Sequence, residues 1–366
     1  MKKVLFLIHD LGYGGAEKVL VNLANNLDKN RFDITIKTLF DVGANKQFIN
    51  NDVHYIGGWK HMFRGNAPLM SLFSPKTLCK WVIKDNYDIV VSFLEGPSSR
   101  IVSGYEGKKV TWIHTEIKND EMLKIAYKSK QEAVNCYNSF DKIVCVADTI
   151  RKKFISLFDV MPECITLYNV NDTDYIEECA MEEQEIITRG NVLNIIAVGR
   201  LISVKRFERL ISIHKKLIDN GVEQKFYILG EGEEHQKLQK QIDDLGVSET
   251  CKLLGFDNNP YKYLANANLF VCSSEREGFS TAVTEALVLG IPVVSTEVSG
   301  AKELLGYNNE YGIVTDNNEN ALYEGMHKIL TEDGLLTHYK KQAEIRGKEF
   351  STEKTTKAVE EMLESL

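Results

Sequence analysis

Short apolar runs recur along the chain, each followed by a longer stretch whose apolar positions return every three or four residues. In the first half the runs are VLFLI (4–8), ITIKTL (34–39), DIVVSF (88–93), KVTWI (109–113) and KIVCV (142–146). In the second they are LNIIAVG (193–199), KFYILG (225–230), CKLLG (251–255), LFVCS (269–273) and PVVST (292–296). The runs are apolar throughout, which predicts strands buried on both faces of a parallel sheet. Helices are predicted to start near Ala16, Pro75, Pro97, Asn119 and Ala147, then near Val204, Glu233, Pro260, Ser280 and Ala301. Strands alternating with helices in two sets predict two doubly wound α/β domains.

The boundary is expected in the acidic, apolar-poor stretch from Asn171 to Gly190, with a first domain over 1–170 and a second beginning at Asn191 and running to 345. Ligands of open α/β sheets bind at the carboxyl ends of strands, so the cleft between two such domains is the expected site.

Composition narrows the class. The 366 residues carry a net charge of −8, with 43% hydrophobic and 26% charged residues, a soluble globular balance that argues against general nucleic-acid binding. The seven cysteines (79, 136, 145, 164, 179, 251, 272) include no C-x-x-C, and several sit inside apolar runs. They read as small core residues in a reducing compartment. The apolar run after Met1 stops at His9, too short for a secretory segment or a membrane span. The expected location is cytoplasmic, with any membrane contact peripheral, at the inner face of the cell membrane.

The stretch from Asn268 to Thr296 reads as strand, acidic loop, helix and strand. Glu277 and Glu285 lie eight apart around a Gly-Phe-Ser turn, and Ser280 is placed to cap the following helix. A helix amino end offers free N–H groups and the positive end of the dipole to an anion. Two carboxylates beside it suit a ligand with both hydroxyls and phosphates, as in a sugar nucleotide. In AVGRLISVKRFERL (197–210), Gly199, Arg200 and Lys205 read either as a diphosphate grip or as solvated loop residues.

The first loop, HDLGYGGAEK (9–18), places Gly12, Gly14 and Gly15 between a strand and a helix, but Glu17 occupies the third glycine position of a dinucleotide fingerprint. It is either a phosphate loop or a structural turn. His114 ends KVTWI at the rim of the expected cleft, as a base, a hydrogen-bond donor to a sugar, or a satisfied histidine. Asp172-Thr-Asp174 has the look of a metal-nucleotide motif but lies in the expected linker, so no metal site is assigned. Thr149–Phe158 is basic on one side and apolar on the other, which suits packing on its own sheet or membrane contact. Lys60, His61 and Arg64, with Trp59 and Phe63 among them, face lipid headgroups or form a plain surface loop.

Together these residues resemble the retaining glycosyltransferases of family 4, which have the GT-B fold: two Rossmann-like domains and a C-terminal helix returning to the first. The resemblance covers nearly the whole chain. It rests on Gly14-Gly15-Ala16-Glu17, on Gly199-Arg200-Leu201 with Lys205, on Gly230-Glu231-Gly232, on Glu277-Gly-Phe-Ser through Glu285-Ala-Leu and Gly290-Ile-Pro-Val-Val, and on Phe350-Ser351 before a last helix expected within 346–366. The chain departs from the family at Leu167-Tyr168-Asn169-Val170, where Pro-Asn-Gly is frequent, and at Phe279-Ser280, where phenylalanine-glycine is usual.

The resemblance implies a metal-independent hexosyl transfer with retention from a nucleoside-diphosphate sugar, UDP-linked by first expectation. The implied acceptor is a hydroxyl of a lipid-linked glycan in capsule, exopolysaccharide or O-antigen synthesis. No cofactor is implied beyond the donor substrate. Glu277 would contact the transferred sugar, with the backbone of Gly278, Phe279, Ser280 and Thr281 against sugar and phosphate. Glu285 would hold the ribose, and Arg200 and Lys205 would neutralise the diphosphate. Gly14, Gly15, Gly199 and Gly230 would line the donor, and His114 would sit near donor sugar and acceptor. A sugar-nucleotide epimerase, a non-catalytic partner subunit and a nicotinamide dehydrogenase are the alternatives.

Overall fold

The computed structural model describes residues 1–12, 14–62, 65–117, 119–187, 190 and 192–366. Phe63 and Arg64 of the basic and aromatic cluster, and Asn191, the expected start of the second domain, lie outside the described residues. The chain divides into two compact units, Met1–Asn171 with Thr352–Leu366, and Asp172–Ser351.

The first unit is built on β1 (Lys2–Ile8), β2 (Phe32–Thr38), β3 (His54–Ile56), β4 (Ile89–Ser92), β5 (Lys108–Ile113), β6 (Lys142–Cys145) and β7 (Glu163–Thr166), in the order β3-β2-β1-β4-β5-β6-β7. Every pairing is parallel, with Phe6 beside both Ile36 and Val91. Val4 to Ile8 are fully buried, as a strand covered by helices on both sheet faces must be. In this sheet the two strands that no predicted run covers, β3 and β7, are the edges.

The second unit carries β8 (Leu193–Val198), β9 (Gln224–Leu229), β10 (Cys251–Gly255), β11 (Leu269–Cys272), β12 (Val293–Thr296) and β13 (Ile313–Thr315), in the order β10-β9-β8-β11-β12-β13. These pairings are parallel too. The helix Phe207–Asp219 shows why this layer forms. Phe207, Leu210, Ile211 and Leu217 lie three or four residues apart along one helix side and face one core with Ile195, Phe226 and Ile228. Each such apolar side chain contributes about 1.5–3 kcal/mol on burial.

In each unit the strand order reverses once, between β1 and β4 and between β8 and β11. Crevices at the carboxyl ends of such strand pairs are where open α/β sheets bind ligands.

The stretch expected as a linker starts with a helix, Thr173–Ala180, which packs on the helices Tyr261–Leu264 and Thr281–Val288 of the second unit. Asn259 Nδ2 donates to Cys179 O at 2.8 Å and holds it there. Asp172 caps this helix, accepting from Tyr175 N at 3.1 Å, which accounts for its place in the Asp-Thr-Asp motif. The last helix, Thr352–Glu364, belongs to the first unit: Lys2 Nζ donates to Leu363 O at 3.0 Å and Arg31 pairs with Glu360 at 2.5 Å. The basic helix Asp148–Leu157 buries Ile150 and Phe154, and Phe154 packs edge-on against Tyr137 at 4.9 Å. Its apolar side is therefore core. All seven cysteines are unpaired, and only Cys164 is not fully buried.

Candidate functional site

In the second unit two loops leave the carboxyl ends of β8 and β11, on either side of the strand-order reversal. The first carries Gly199 and Arg200, then a tight 3₁₀ turn, Ser203–Lys205. The helix starts at Phe207, three residues later than the pattern suggests, because Arg206 takes a left-handed backbone with φ 55° before it. The second loop runs from Ser273 to Gly278, and Ser280 caps the helix Thr281–Val288 by accepting from Val283 N.

The two loops are tied together. Ser273 Oγ donates to Lys205 O at 2.7 Å, and Glu275 N donates to Val204 O at 2.8 Å. Lys205 Nζ lies 2.6 Å from Glu277 Oε1, and Ser274 Oγ donates to that same oxygen at 2.6 Å. Glu277 Oε2 has no hydrogen-bond partner among the described residues. Lys205, Ser274, Glu277 and Ser280 line one small cavity of about 10 Å³ over buried Cys272, room for one water. Arg200 is exposed, and its guanidinium has no partner among the described residues. The structure thus pairs Lys205 with Glu277 and leaves Arg200 outside that pair.

Gly199 lies under the Lys205 stem: a Cβ on it would be 3.5 Å from Lys205 Cε. Gly230, at φ 146°, has a different close neighbour: a Cβ there would fall 1.9 Å from Gly199 O. The glycine lets two backbone turns touch. Phe279 packs edge-on against the fully buried Phe350 at 5.8 Å. The Gly300 turn, φ 76°, also lies close: a Cβ there would be 2.9 Å from Gly278 O and 3.0 Å from Phe279 Cδ2. Gly278, Phe279, Ser280 and Thr281 are thereby seated at the helix start.

Glu285 is 4% exposed, and Oε1 accepts from the Tyr261 hydroxyl at 3.1 Å. Burial, then the neighbouring Glu285 carboxylate, holds the Tyr261 phenol well above its ordinary range, so it stays a donor. Nothing local in the sequence links these two residues.

In the first unit Gly14 is the cap residue of the helix Gly15–Asn26, with no side-chain cap. The Glu17 carboxylate folds onto it: a Cβ on Gly14 would lie 1.9 Å from Glu17 Oε2. Both glycines lie on the carboxyl rim that carries His114 at the end of β5. His114 is buried, with its ring 4.9 Å from Phe93. It bonds the Phe93 carbonyl, while burial pushes its pKa down to about 3. A carbonyl needs a donor, so the bonded nitrogen carries the proton. Nε2 is buried with no hydrogen-bond partner among the described residues. The imidazole is therefore neutral and presents a lone pair. In this tautomer Nε2 can accept a hydrogen bond from a hydroxyl.

Sequence reasoning missed Glu95, at the carboxyl end of β4. Its Oε2 accepts from His114 N at 2.9 Å, and Thr115 Oγ1 donates to Oε1. Burial pushes the Glu95 carboxyl up, against those hydrogen bonds. Parallel pairing of β4 with β5 makes it a neighbour of His114, so only strand order could have found it.

Comparisons with known proteins agree with this architecture. Residues 13–175 match the family described as Glycosyltransferase Family 4, and residues 182–346 match Glycosyl transferases group 1. The chain is 29% identical over 364 residues to the N-acetylgalactosamine-N,N'-diacetylbacillosaminyl-diphospho-undecaprenol 4-alpha-N-acetylgalactosaminyltransferase of Campylobacter jejuni, covering 96% of each. It is 24% identical over 368 residues to the GalNAc-alpha-(1->4)-GalNAc-alpha-(1->3)-diNAcBac-PP-undecaprenol alpha-1,4-N-acetyl-D-galactosaminyltransferase of the same organism, covering 96% of this chain and 95% of that one. Anabaena Alr3699/HepE in complex with UDP-glucose superposes with a TM-score of 0.80 at 20% identity over 100% of both chains. With both halves matched and the two-sheet fold in place, the chain belongs to the family 4 glycosyltransferases of GT-B fold.

Proposed function

We propose that this glycosyltransferase moves a sugar from a UDP-sugar to a hydroxyl of a lipid-linked glycan, with the anomeric configuration retained and without a metal. The observation that carries the reading is the meeting of Lys205, Ser274, Glu277 and Ser280 around one cavity at the carboxyl end of β11. A cation, two hydroxyls, a carboxylate and a helix amino end suit a sugar diphosphate. The lipid-linked acceptor is supported by the two Campylobacter relatives, whose names specify diphospho-undecaprenol substrates. UDP is supported by the HepE complex.

In this reading the diphosphate draws Lys205 away from Glu277, and Arg200 adds the second positive charge. Glu277, freed of its cation, accepts from hydroxyls of the transferred sugar. Glu285, oriented by Tyr261, holds the ribose, while Gly14, Gly15, Gly199 and Gly230 keep backbone near the donor. His114 accepts from a sugar or acceptor hydroxyl through Nε2. A donor phosphate oxygen takes the acceptor proton as the glycosidic bond forms on the face the diphosphate leaves. The charge that develops on the leaving group is met by fixed groups, the largest single contribution in most such sites. The product would be a cell-surface glycan intermediate such as those of capsule, exopolysaccharide or O-antigen.

A screen of UDP- and GDP-sugars for slow donor hydrolysis tests this without an acceptor. Release of UDP from at least one UDP-hexose or UDP-N-acetylhexosamine is expected. Proton spectra of the product formed with a lipid-diphosphate glycan should then show the donor's anomeric configuration. Absence of nucleotide release from every donor, or an inverted product, would overturn the proposal.

A further inference from the structure

Three rings stand in a row on the carboxyl rim of the first sheet. The His9 ring, one residue past β1, lies 4.9 Å from Phe40, two residues past β2. Phe40 lies 5.8 Å from Trp59, three residues past β3. Phe40 is fully buried and touches both, whereas Trp59 is 54% exposed. The backbone of Trp59 is nevertheless fixed. Its N–H donates to Leu39 O at 2.9 Å, and its carbonyl accepts from Asp41 N at 2.9 Å. These bonds carry the parallel pairing of β2 and β3 beyond both strands. Two glycines let the chain lie that close: a Cβ on Gly58 would fall 2.1 Å from Leu39 O, and one on Gly57 2.5 Å from Asp41 Cγ. Asp41 in turn accepts from Lys46 Nζ at 2.6 Å and from the Tyr55 hydroxyl at 2.7 Å. A lone exposed apolar side chain is ordinary on a surface. An indole bonded through its backbone on both sides and resting on a buried phenyl differs, because it offers its face to a ligand at little cost in ordering.

The groups at the other end of the row are polar and equally fixed. His9 Nδ1 lies 2.7 Å from Asp10 Oδ2, and the second Asp10 oxygen accepts from Gly12 N at 2.8 Å. The His9 carbonyl accepts from Phe40 N at 2.9 Å. Leu11 N donates to Val42 O at 3.0 Å and Leu11 O accepts from Asn45 N at 3.0 Å, which clamps this loop to the one after β2. The His9 and Asp10 side chains remain partly exposed. A sugar ring has an apolar C–H face that stacks on an indole and hydroxyls that both donate and accept, so a fixed aromatic face near a carboxylate and an imidazole suits it.

Strand order sets the place of these groups relative to His114. Along the rim the strands run β3, β2, β1, β4, β5. Neighbouring strands lie about 4.8 Å apart, so the loop after β3 and the loop after β5 are separated by roughly 19 Å, a span of several sugars and not of one. We infer that Trp59, with the His9–Asp10 pair, forms a subsite for a sugar of the acceptor glycan that is remote from the reacting hydroxyl. The enzyme then selects acceptors that already carry several sugars. The inference rests on the glycan acceptor proposed above and adds to it the part of the acceptor that is read.

The test is a fluorescence titration of the full chain carrying Trp81→Phe, which leaves Trp59 as the exposed indole because Trp112 is 3% exposed. The probes are maltotriose, cellotriose and triacetylchitotriose, with glucose and N-acetylglucosamine beside them, and no donor is needed. A saturable change is expected with at least one trisaccharide, and its monosaccharide should bind at least about tenfold more weakly. By calorimetry Trp59→Ala should lower trisaccharide affinity by about tenfold or more, while Trp59→Phe keeps most of it. His9→Ala should lower it by about two- to tenfold, the worth of one hydrogen bond. No response to any trisaccharide, equal affinity for trisaccharide and monosaccharide, or undiminished binding by Trp59→Ala would overturn the inference and leave the enzymatic reading intact. So would a change in Trp59 fluorescence given by phosphatidylglycerol vesicles and by none of the sugars, since the indole would then meet lipid. Trisaccharide binding without nucleotide release from any donor would instead sink the enzymatic reading and retain the subsite.

Discussion

Lys205 and Glu277 form an ion pair, Nζ to Oε1 at 2.6 Å, between the two loops that flank the strand-order reversal of the second unit. A diphosphate that recruits Lys205 must compete with Glu277. Glu277→Gln should therefore bind UDP more tightly, by up to about fivefold, the worth of a partly exposed ion pair. Turnover should fall, because the carboxylate proposed to read the sugar is gone. Lys205→Ala or Arg200→Ala should lower kcat by about two to three orders of magnitude. Calorimetric titration with UDP and a transfer assay at saturating donor measure both. Full turnover in Arg200→Ala would remove that residue from the mechanism.

Tyr261 reaches Glu285 from a helix 24 residues earlier in the chain, at 3.1 Å and fully out of solvent. Tyr261→Phe removes a hydrogen bond to a buried carboxylate, at a cost of about 1–3 kcal/mol in stability. If Glu285 holds the ribose, the donor KM should rise while kcat changes less. An unchanged KM at reduced stability would make the pair purely structural.

Gly230 cannot carry a side chain. Its φ of 146° is open to glycine, and a Cβ would overlap Gly199 O at 1.9 Å. Gly230→Ala should destabilise the second unit by about 3 kcal/mol or more, a loss of roughly 6–12 °C in Tm for a unit of this size. A thermal melt that matches wild type would show that the two turns can separate freely.

Two buried histidines make stability depend on pH. Burial lowers His114 to about 3 and His214 to about 4, and His214 is bonded through both ring nitrogens, to Gln224 and Thr250 at 2.9 Å. In the unfolded chain both titrate near 6.5. Above that pH neither state takes up a proton, and their full contribution is present. Below it the unfolded chain protonates and the fold does not, so stability falls by about 1.4 kcal/mol per pH unit per histidine until the folded pKa values are reached. Urea unfolding between pH 7.5 and 5 should show this slope, halved in His214→Asn. A flat profile from 6.5 to 5 would mean that the imidazoles are not held neutral.

Much of this protein is legible along the chain because local patterns carry it. Continuous apolar runs mark strands buried on both faces, and glycine and serine mark the turns after them, so the two parallel sheets and the loops at Gly199 and Glu277 follow from spacing alone. The edge strands β3, β7 and β13 escape this reading, because strands of three or four residues at a sheet edge need no continuous apolar run. The side-chain partners are another matter. Glu95 reaches His114, Tyr261 reaches Glu285 and Arg100 reaches Met70 and Phe73 across intervals that no periodicity links, because strand order, not sequence order, makes them neighbours. The environment of His114, a backbone hydrogen bond to Phe93 and burial that lowers its pKa, likewise exists only in the folded sheet. Residue type sets which chemistry is possible at a position, and desolvation with fixed hydrogen-bond partners, which exist only once the sheets are assembled, selects among the possibilities.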